Sequence, residues 1–386
     1  MAATIKLKRG TSTPSTSDIA SGEVAIDTSA AKLYINDSGT VKEIGGGGGG
    51  GVTSDAQYNT KAGTNSGDSF SGTSAQFNNL FGYNTGTAIT SGDGNTAFGA
   101  QAGESISANS YTTMIGYKAG QLNTAHWNTA VGGECLQANT SGTKNTAIGA
   151  MAARANTTGE GNTAIGHEAL KACTTANSTT AVGQDAGKLI TTGSYNHIFG
   201  KGAGDALTTG TNNTIMGHHA GSGFSTGSEN TILGGNCGGS STAGITGNTY
   251  IGKSCAQNVN GNHNVFVGHQ AAVWGSGDAA SNVGVGNSAM EDISTGDDNA
   301  GVGSYVLNDL TTGSNNCALG KNAGNTLTTG SNNILLGHDA EPSSATVDNE
   351  VTIGDTAITK FRIPGLGFEL DTDSSSGFVL DFGSVA

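Results

Sequence analysis

Residues 206–221 read "ALTTGTNNTIMGHHAG". The adjacent His218 and His219 invite a metal-site or catalytic reading, but Gly217 points elsewhere. An apolar residue followed by glycine recurs at Gly82, Gly99, Gly116, Gly132, Gly149, Gly166, Gly183, Gly200, Gly217, Gly234, Gly252, Gly268, Gly286, Gly303, Gly320, Gly337 and Gly354. The 17 anchors span 354 − 82 = 272 residues, so their 16 intervals average 17 residues. A fixed period held over that distance is the signature of a repeat architecture.

The repeat has an internal grammar when each anchor glycine is numbered position 0. Position −1 is apolar in all 17 copies, from Phe81 to Ile353. Position −4 is Asn in 14 of them, including Asn95, Asn145, Asn162, Asn213, Asn230 and Asn333. Position +3 is Ala in 12, including Ala102, Ala169, Ala220 and Ala323. "NTAIG" reads as a short strand. The glycine-containing segments supply turns, and two or three glycines per repeat disfavour helix. One strand per period, stacked on its own copies, gives an all-β chain: a parallel β-solenoid or β-roll of about 17 coils. At ~4.8 Å per strand the rod is roughly 80 Å long.

Stacking gives each column an expected role. The −1 column is expected to fill the coil, the +3 alanines to occupy a tight site, and the asparagines to form an amide ladder. Anchors such as Gly99, Gly149, Gly166, Gly217, Gly320 and Gly337 mark a bend or a close backbone approach. Position −2 is also apolar in many copies, such as Ile198, Ile215 and Tyr250. Neighbouring strand residues face opposite sides, so both sides call for burial. This predicts packing against other chains as a parallel homo-oligomer.

Composition agrees. The chain has 65 glycines, 3 prolines and only 34% hydrophobic residues, too few large side chains for one thick core. Its formal net charge is −14, and no basic stripe suits nucleic acid. No apolar run is long enough to span a membrane, and the N-terminus has no signal-peptide h-region. Membrane insertion and Sec export are therefore not expected.

The chain divides into a β module at 1–45, a glycine-rich linker and irregular lead-in at 46–75, the solenoid shaft at 76–354 and a cap or tip at 355–386. In the module, "IKLKR", "EVAID", "KLYIN" and "VKEI" read as strands, with "NDSG" as a hairpin turn.

No catalytic, metal or cofactor site is expected. His167, His218, His269 and His338 share position +1 with Tyr117, Lys201 and Asp355, a column tolerant enough to be exposed surface. No HxH or HExxH spacing occurs, and the GGxGxD grammar of calcium-binding solenoids is absent. Cys135, Cys237 and Cys255 occupy the alanine phase and read as small buried hydrophobes. No fixed carboxylate pair supports glycan cleavage.

The block Ile5-Lys6-Leu7-Lys8-Arg9-Gly10-Thr11, Gly22-Glu23-Val24-Ala25-Ile26-Asp27-Thr28 and Lys32-Leu33-Tyr34-Ile35-Asn36-Asp37 resembles the module that opens many bacteriophage tail-fibre and tropism-determinant proteins. The resemblance implies virion attachment through Ile5, Leu7, Arg9, Val24, Ile26, Leu33 and Ile35. "NTAIG" and "AVG" resemble the trimeric β-roll heads of YadA-like adhesins and related phage fibres, which implies a homotrimer. The longer period, and the lack of a coiled-coil stalk and membrane anchor, depart from the adhesins and favour phage. The resulting expectation is a non-enzymatic tail fibre in the virion. It would join a tail or other virion protein and adsorb to a host surface glycan or protein. A trimeric surface adhesin and a fibre-borne glycan depolymerase are the alternatives.

Overall fold

The structure, a computed structural model, describes residues 8–21, 23–29, 32–38, 40–44, 52–70, 74–239, 244–363, 368–373 and 377–381. No helix occurs among them.

The N-terminal module is a four-stranded sheet in the order β1 (Lys8–Gly10), β2 (Val24–Asp27), β3 (Lys32–Asp37), β4 (Thr40–Ile44). β1 and β2 are parallel and the other pairs antiparallel. The expected hairpin lies between Asp37 and Thr40, which pair directly, and Ser38 takes the positive φ of 53° that so short a turn demands. Ile19, Ala25 and Tyr34 are buried. The Asn36 side-chain amide donates to the Ile19 carbonyl at 2.7 Å. The Lys8 ammonium donates to Glu23 at 2.7 Å and to the Asp18 carbonyl at 2.9 Å.

The shaft is an open ladder with one short strand per coil and about 19 turns, running to β23 (Val351–Ile353). It begins earlier than the sequence suggests. β5 (Thr53–Ser54) and β6 (Thr60–Ala62) form a hairpin, and β6 then pairs in parallel with β7 (Asn79–Phe81). Residues 52–70, expected to be irregular, therefore contain a further coil, with Asn59 in the asparagine column. Its anchor Gly63 stands 82 − 63 = 19 residues before Gly82, a longer step than any between the other anchors, and Lys61 puts a cation at position −2. Its ammonium lies 5.6 Å from the Phe70 ring centroid.

Strand registers lock the columns. Thr146, Ala147 and Ile148 pair with Thr163, Ala164 and Ile165, and these with Thr180, Ala181 and Val182. Within unbroken runs of the column each asparagine bonds both its neighbours. Asn230 Nδ2 donates to Asn213 Oδ1 at 3.0 Å and to the Ile245 carbonyl at 2.8 Å, while Asn230 Oδ1 accepts the Asn248 backbone N–H at 3.0 Å. A second amide ladder at position +7 joins Asn156, Asn139 and Asn123 over 2.7 and 2.6 Å. At the anchors, a Cβ on Gly166 would lie 2.4 Å from the Gly183 carbonyl oxygen, and φ is +136°. Both facts require glycine.

One expectation is reversed. Position −2, not −1, fills the coil. In the Gly149 coil the buried residues are Gly142, Asn145, Ala147, Ala152, Ala153 and Asn156, whereas Ile148 points outward. Asparagine at −4 and the residue at −2 share strand parity, so the amide ladder and the apolar core occupy the same side.

In many coils the interior is filled by volume matching between −2 and +4, and where both are small, as at Ala181 and Gly187, side chains such as Ile190 and Ile198 take the space. Where −2 is Ala164, Gly284 or Gly301, +4 is Leu170, Met290 or Leu307. Where −2 is Ile198, Ile215 or Ile232, +4 is Gly204, Gly221 or Gly238. A Cβ on Gly284 would lie 2.9 Å from Phe266 Cδ1 and 3.4 Å from Met290 Sδ, so the space is already occupied. Leu170, Met290 and Leu307 take φ of 51°, 50° and 45°. That left-handed conformation is unfavourable for bulky residues, and it is sustained here by the volume it fills.

Beyond the shaft, β24 (Lys360–Ile363), β25 (Phe368–Asp373) and β26 (Gly377–Asp381) form an antiparallel sheet in the segment expected to cap the solenoid.

Candidate functional site

Three surfaces carry candidate chemistry. In the N-terminal module, Ile5 and Leu7 lie outside the described residues. The other residues expected to attach to a virion fall together. Arg9 pairs with Ile26, Ile26 with Leu33, and Val24 with Ile35. Strand alternation puts these five on the face opposite Ala25 and Tyr34, where Arg9 is exposed and the four apolar residues are half-buried. The module thus presents a small apolar face with the Arg9 cation at its β1 edge.

The second surface is the outer face of the strand ladder. Position −1 is apolar in every coil and remains open: Phe98 is 57% exposed, Met216 47% and Leu319 55%. Position −3 is mostly threonine, and neither column holds Asp, Glu, Lys or Arg from Asn79 to Ile353. The first coils add aromatic side chains at −5. Phe77, Tyr111 and Trp127 are exposed, with φ of 57°, 60° and 58°. Tyr58 and Phe77 stack at 5.5 Å and Phe81 and Phe98 at 5.6 Å.

The third surface lies at +5 and +6, beyond the strands. Long side chains here reach back one coil and form a rail. Gln121 Nε2 donates to Glu104 at 2.9 Å, Gln137 Nε2 to Gln121 at 3.1 Å, and Arg154 Nε to Gln137 at 3.1 Å. Further along, Lys171 and Lys188 grip Glu168 at 2.7 and 2.6 Å. Beside the rail runs a groove of about 590 Å³ floored by Ala138, Ala155 and Ala172, with Leu122 and Leu189 at its ends.

The histidine column is open surface, as its tolerance suggested: His167, His218 and His338 are exposed. His218 and His219 meet edge to face at 4.3 Å. Two groups bring metal-ligand types within 4.8 Å, His167–Glu168–Asp185 and His338–Asp339–Asp355. In the first, Glu168 is held down to about 2 by the Lys171 and Lys188 ammoniums, an internal charge balance. In the second, Asp339 accepts from Asn322 at 2.8 Å and pairs with His338 at 3.0 Å.

Cys135, Cys237 and Cys255 are buried in the +3 column. Burial pushes the Cys135 thiol up to about 12 and the Cys173 thiol up to about 11. A neutral buried thiol is a poor nucleophile. The Asp292 carboxyl is raised by burial and by its neighbours Asp309 and Glu291.

The rail and groove were not anticipated, because they arise from long and small residues of several consecutive coils rather than from a local motif. The volume match between −2 and +4 was missed too, although its pairs, such as Ala164 with Leu170, lie six residues apart in the sequence. No family model, no curated protein and no solved structure matches the chain.

Proposed function

We propose that this chain is a structural, non-enzymatic fibre subunit that works as a homotrimer in a phage virion. The observation that carries the reading is the outer strand face. A stripe ~80 Å long and ~10 Å wide amounts to on the order of 800 Å², about one partner's share of a standard protein interface. Monomeric soluble proteins rarely expose apolar patches much beyond a few hundred Å². Uncharged at −1 and −3 and repeating every coil, this stripe suits laying parallel copies against one another. The number three rests on the resemblance to trimeric β-rolls.

The apolar face of the N-terminal module supports attachment to a tail or other virion protein. Three copies of the shaft would then multiply weak contacts to a host-surface glycan or protein. Sedimentation equilibrium of the full chain tests the assembly: a trimer is expected, and a monomer at micromolar concentration contradicts it. A pull-down with residues 1–45 tests attachment, and retention of a virion structural protein is the expected result.

A further inference from the structure

We infer that the +5/+6 groove is a saccharide-binding site, in which a sugar chain lies along the solenoid axis over Ala138, Ala155 and Ala172. The inference rests on the adsorption reading above and gives it a location.

The floor and the rail supply the two kinds of contact a sugar needs. Three alanine methyls, one per coil and ~4.8 Å apart, make a flat apolar floor for the C–H faces of sugar rings. Hydroxyls both donate and accept, and the rail offers both functions. Arg154, Lys171 and Lys188 donate, Gln137 donates through Nε2 and accepts through Oε1, and Glu134, Glu168 and Asp185 accept. Position +5 is cationic in three consecutive coils only, at Arg154, Lys171 and Lys188; in the other coils it is neutral or, at Glu104, Asp205 and Glu291, acidic. Three cations are balanced by three carboxylates, so the surface is locally neutral on a chain of net charge −14. That complementarity favours a hydroxyl-rich ligand of little charge over a polyanion.

A peptide fits less well. Strand addition needs free backbone edges, but the backbone here is already paired between coils. Leu122 N–H donates to the Gln137 carbonyl, Ala138 to Arg154, Ala155 to Lys171 and Ala172 to Lys188 at 3.0–3.1 Å. A groove that repeats by one coil instead matches a polymer that repeats by one unit. Its residues lie outside the strands and apart from the −1 and −3 columns of the outer strand face.

The test uses the full-length chain on a printed array of bacterial surface polysaccharides and their oligosaccharides, together with a panel of bacterial cells. Ala155→Trp fills the groove. Gln137→Ala removes rail contacts without adding bulk, and Thr158→Trp places the same bulk on an exposed site outside the groove. The expected result is periodate-sensitive binding of at least one glycan, weakened at least tenfold by Ala155→Trp and severalfold by Gln137→Ala, and kept by Thr158→Trp. Should Ala155→Trp fail to fold, Gln137→Ala decides alone. Absence of any bound glycan overturns the site, as does groove-independent binding or binding that survives periodate but not protease. Cell binding unaffected by the groove variants would leave adsorption standing and remove this site from it. Cell binding by none of the proteins would remove the adsorption reading itself.

Discussion

The two faces of the strand ladder follow different rules. On the inner face, position −2 ranges from glycine to tyrosine, and in many coils position +4 compensates: Gly284 meets Met290, and Ile215 meets Gly221. On the outer face, position −1 never falls below valine in size from Phe81 to Ile353, and it stays at least partly exposed among the described residues. A side that needs only a constant total volume tolerates exchange between its members. A side that stays large and apolar while half-exposed is the feature on which the proposed packing of copies rests.

The contrast can be broken first at the backbone that serves both faces. Gly166→Ala places a methyl against the Gly183 carbonyl and forces a residue with Cβ to φ +136°. The expected loss is on the order of 4 kcal/mol or more, seen as failure to purify soluble protein or as a large drop in Tm. Next is the inner amide ladder. Asn162→Ala strips partners from the buried Ala176 carbonyl and Thr179 N–H, and chemical denaturation should show a loss of about 3 kcal/mol.

Volume matching sharpens the inner rule. Leu170→Ala should cost about 2–3 kcal/mol. Adding Ala164→Ile should recover at least about 1 kcal/mol of that, because the two positions share one space. A double-mutant cycle with no coupling would refute the match. Tyr250→Phe should be close to neutral, since the buried Tyr250 hydroxyl has no hydrogen bond of ordinary geometry among the described residues.

The smallest effect is electrostatic. Lys171 and Lys188 hold Glu168 down from its ordinary 4.5 to about 2. A carboxylate with a lowered folded-state pKa stabilises above its unfolded value, and the gain is lost as pH falls. The window is therefore from about pH 4.5 down to about pH 2, and thermal melts of Glu168→Gln should show a shallower acid dependence there than the parent.

Much of this architecture was legible in the sequence. The period follows from the anchor glycines, and the asparagine, alanine and cysteine columns occupy the phases read for them. What could not be read was which of two adjacent apolar columns faces inward. Alternation fixes that −1 and −2 oppose each other but not which is inside. Composition misled, because −1 is the more uniformly large and apolar column. The deciding clue was parity with Asn145 and its equivalents, which identifies the inner side only once the ladder is known to be buried. The groove was illegible for a different reason: Ala138, Ala155 and Ala172 are small residues without a motif, and only stacking makes them a surface.

The outer face is the central claim, and charge placed on it is the direct test. In sedimentation equilibrium the parent chain should be a trimer. The double variant Ile148→Lys and Ile165→Lys should be a monomer with an unchanged far-ultraviolet circular dichroism spectrum, since both side chains point away from the coil interior. A parent chain that is monomeric, or a charged variant that remains trimeric, would contradict the account.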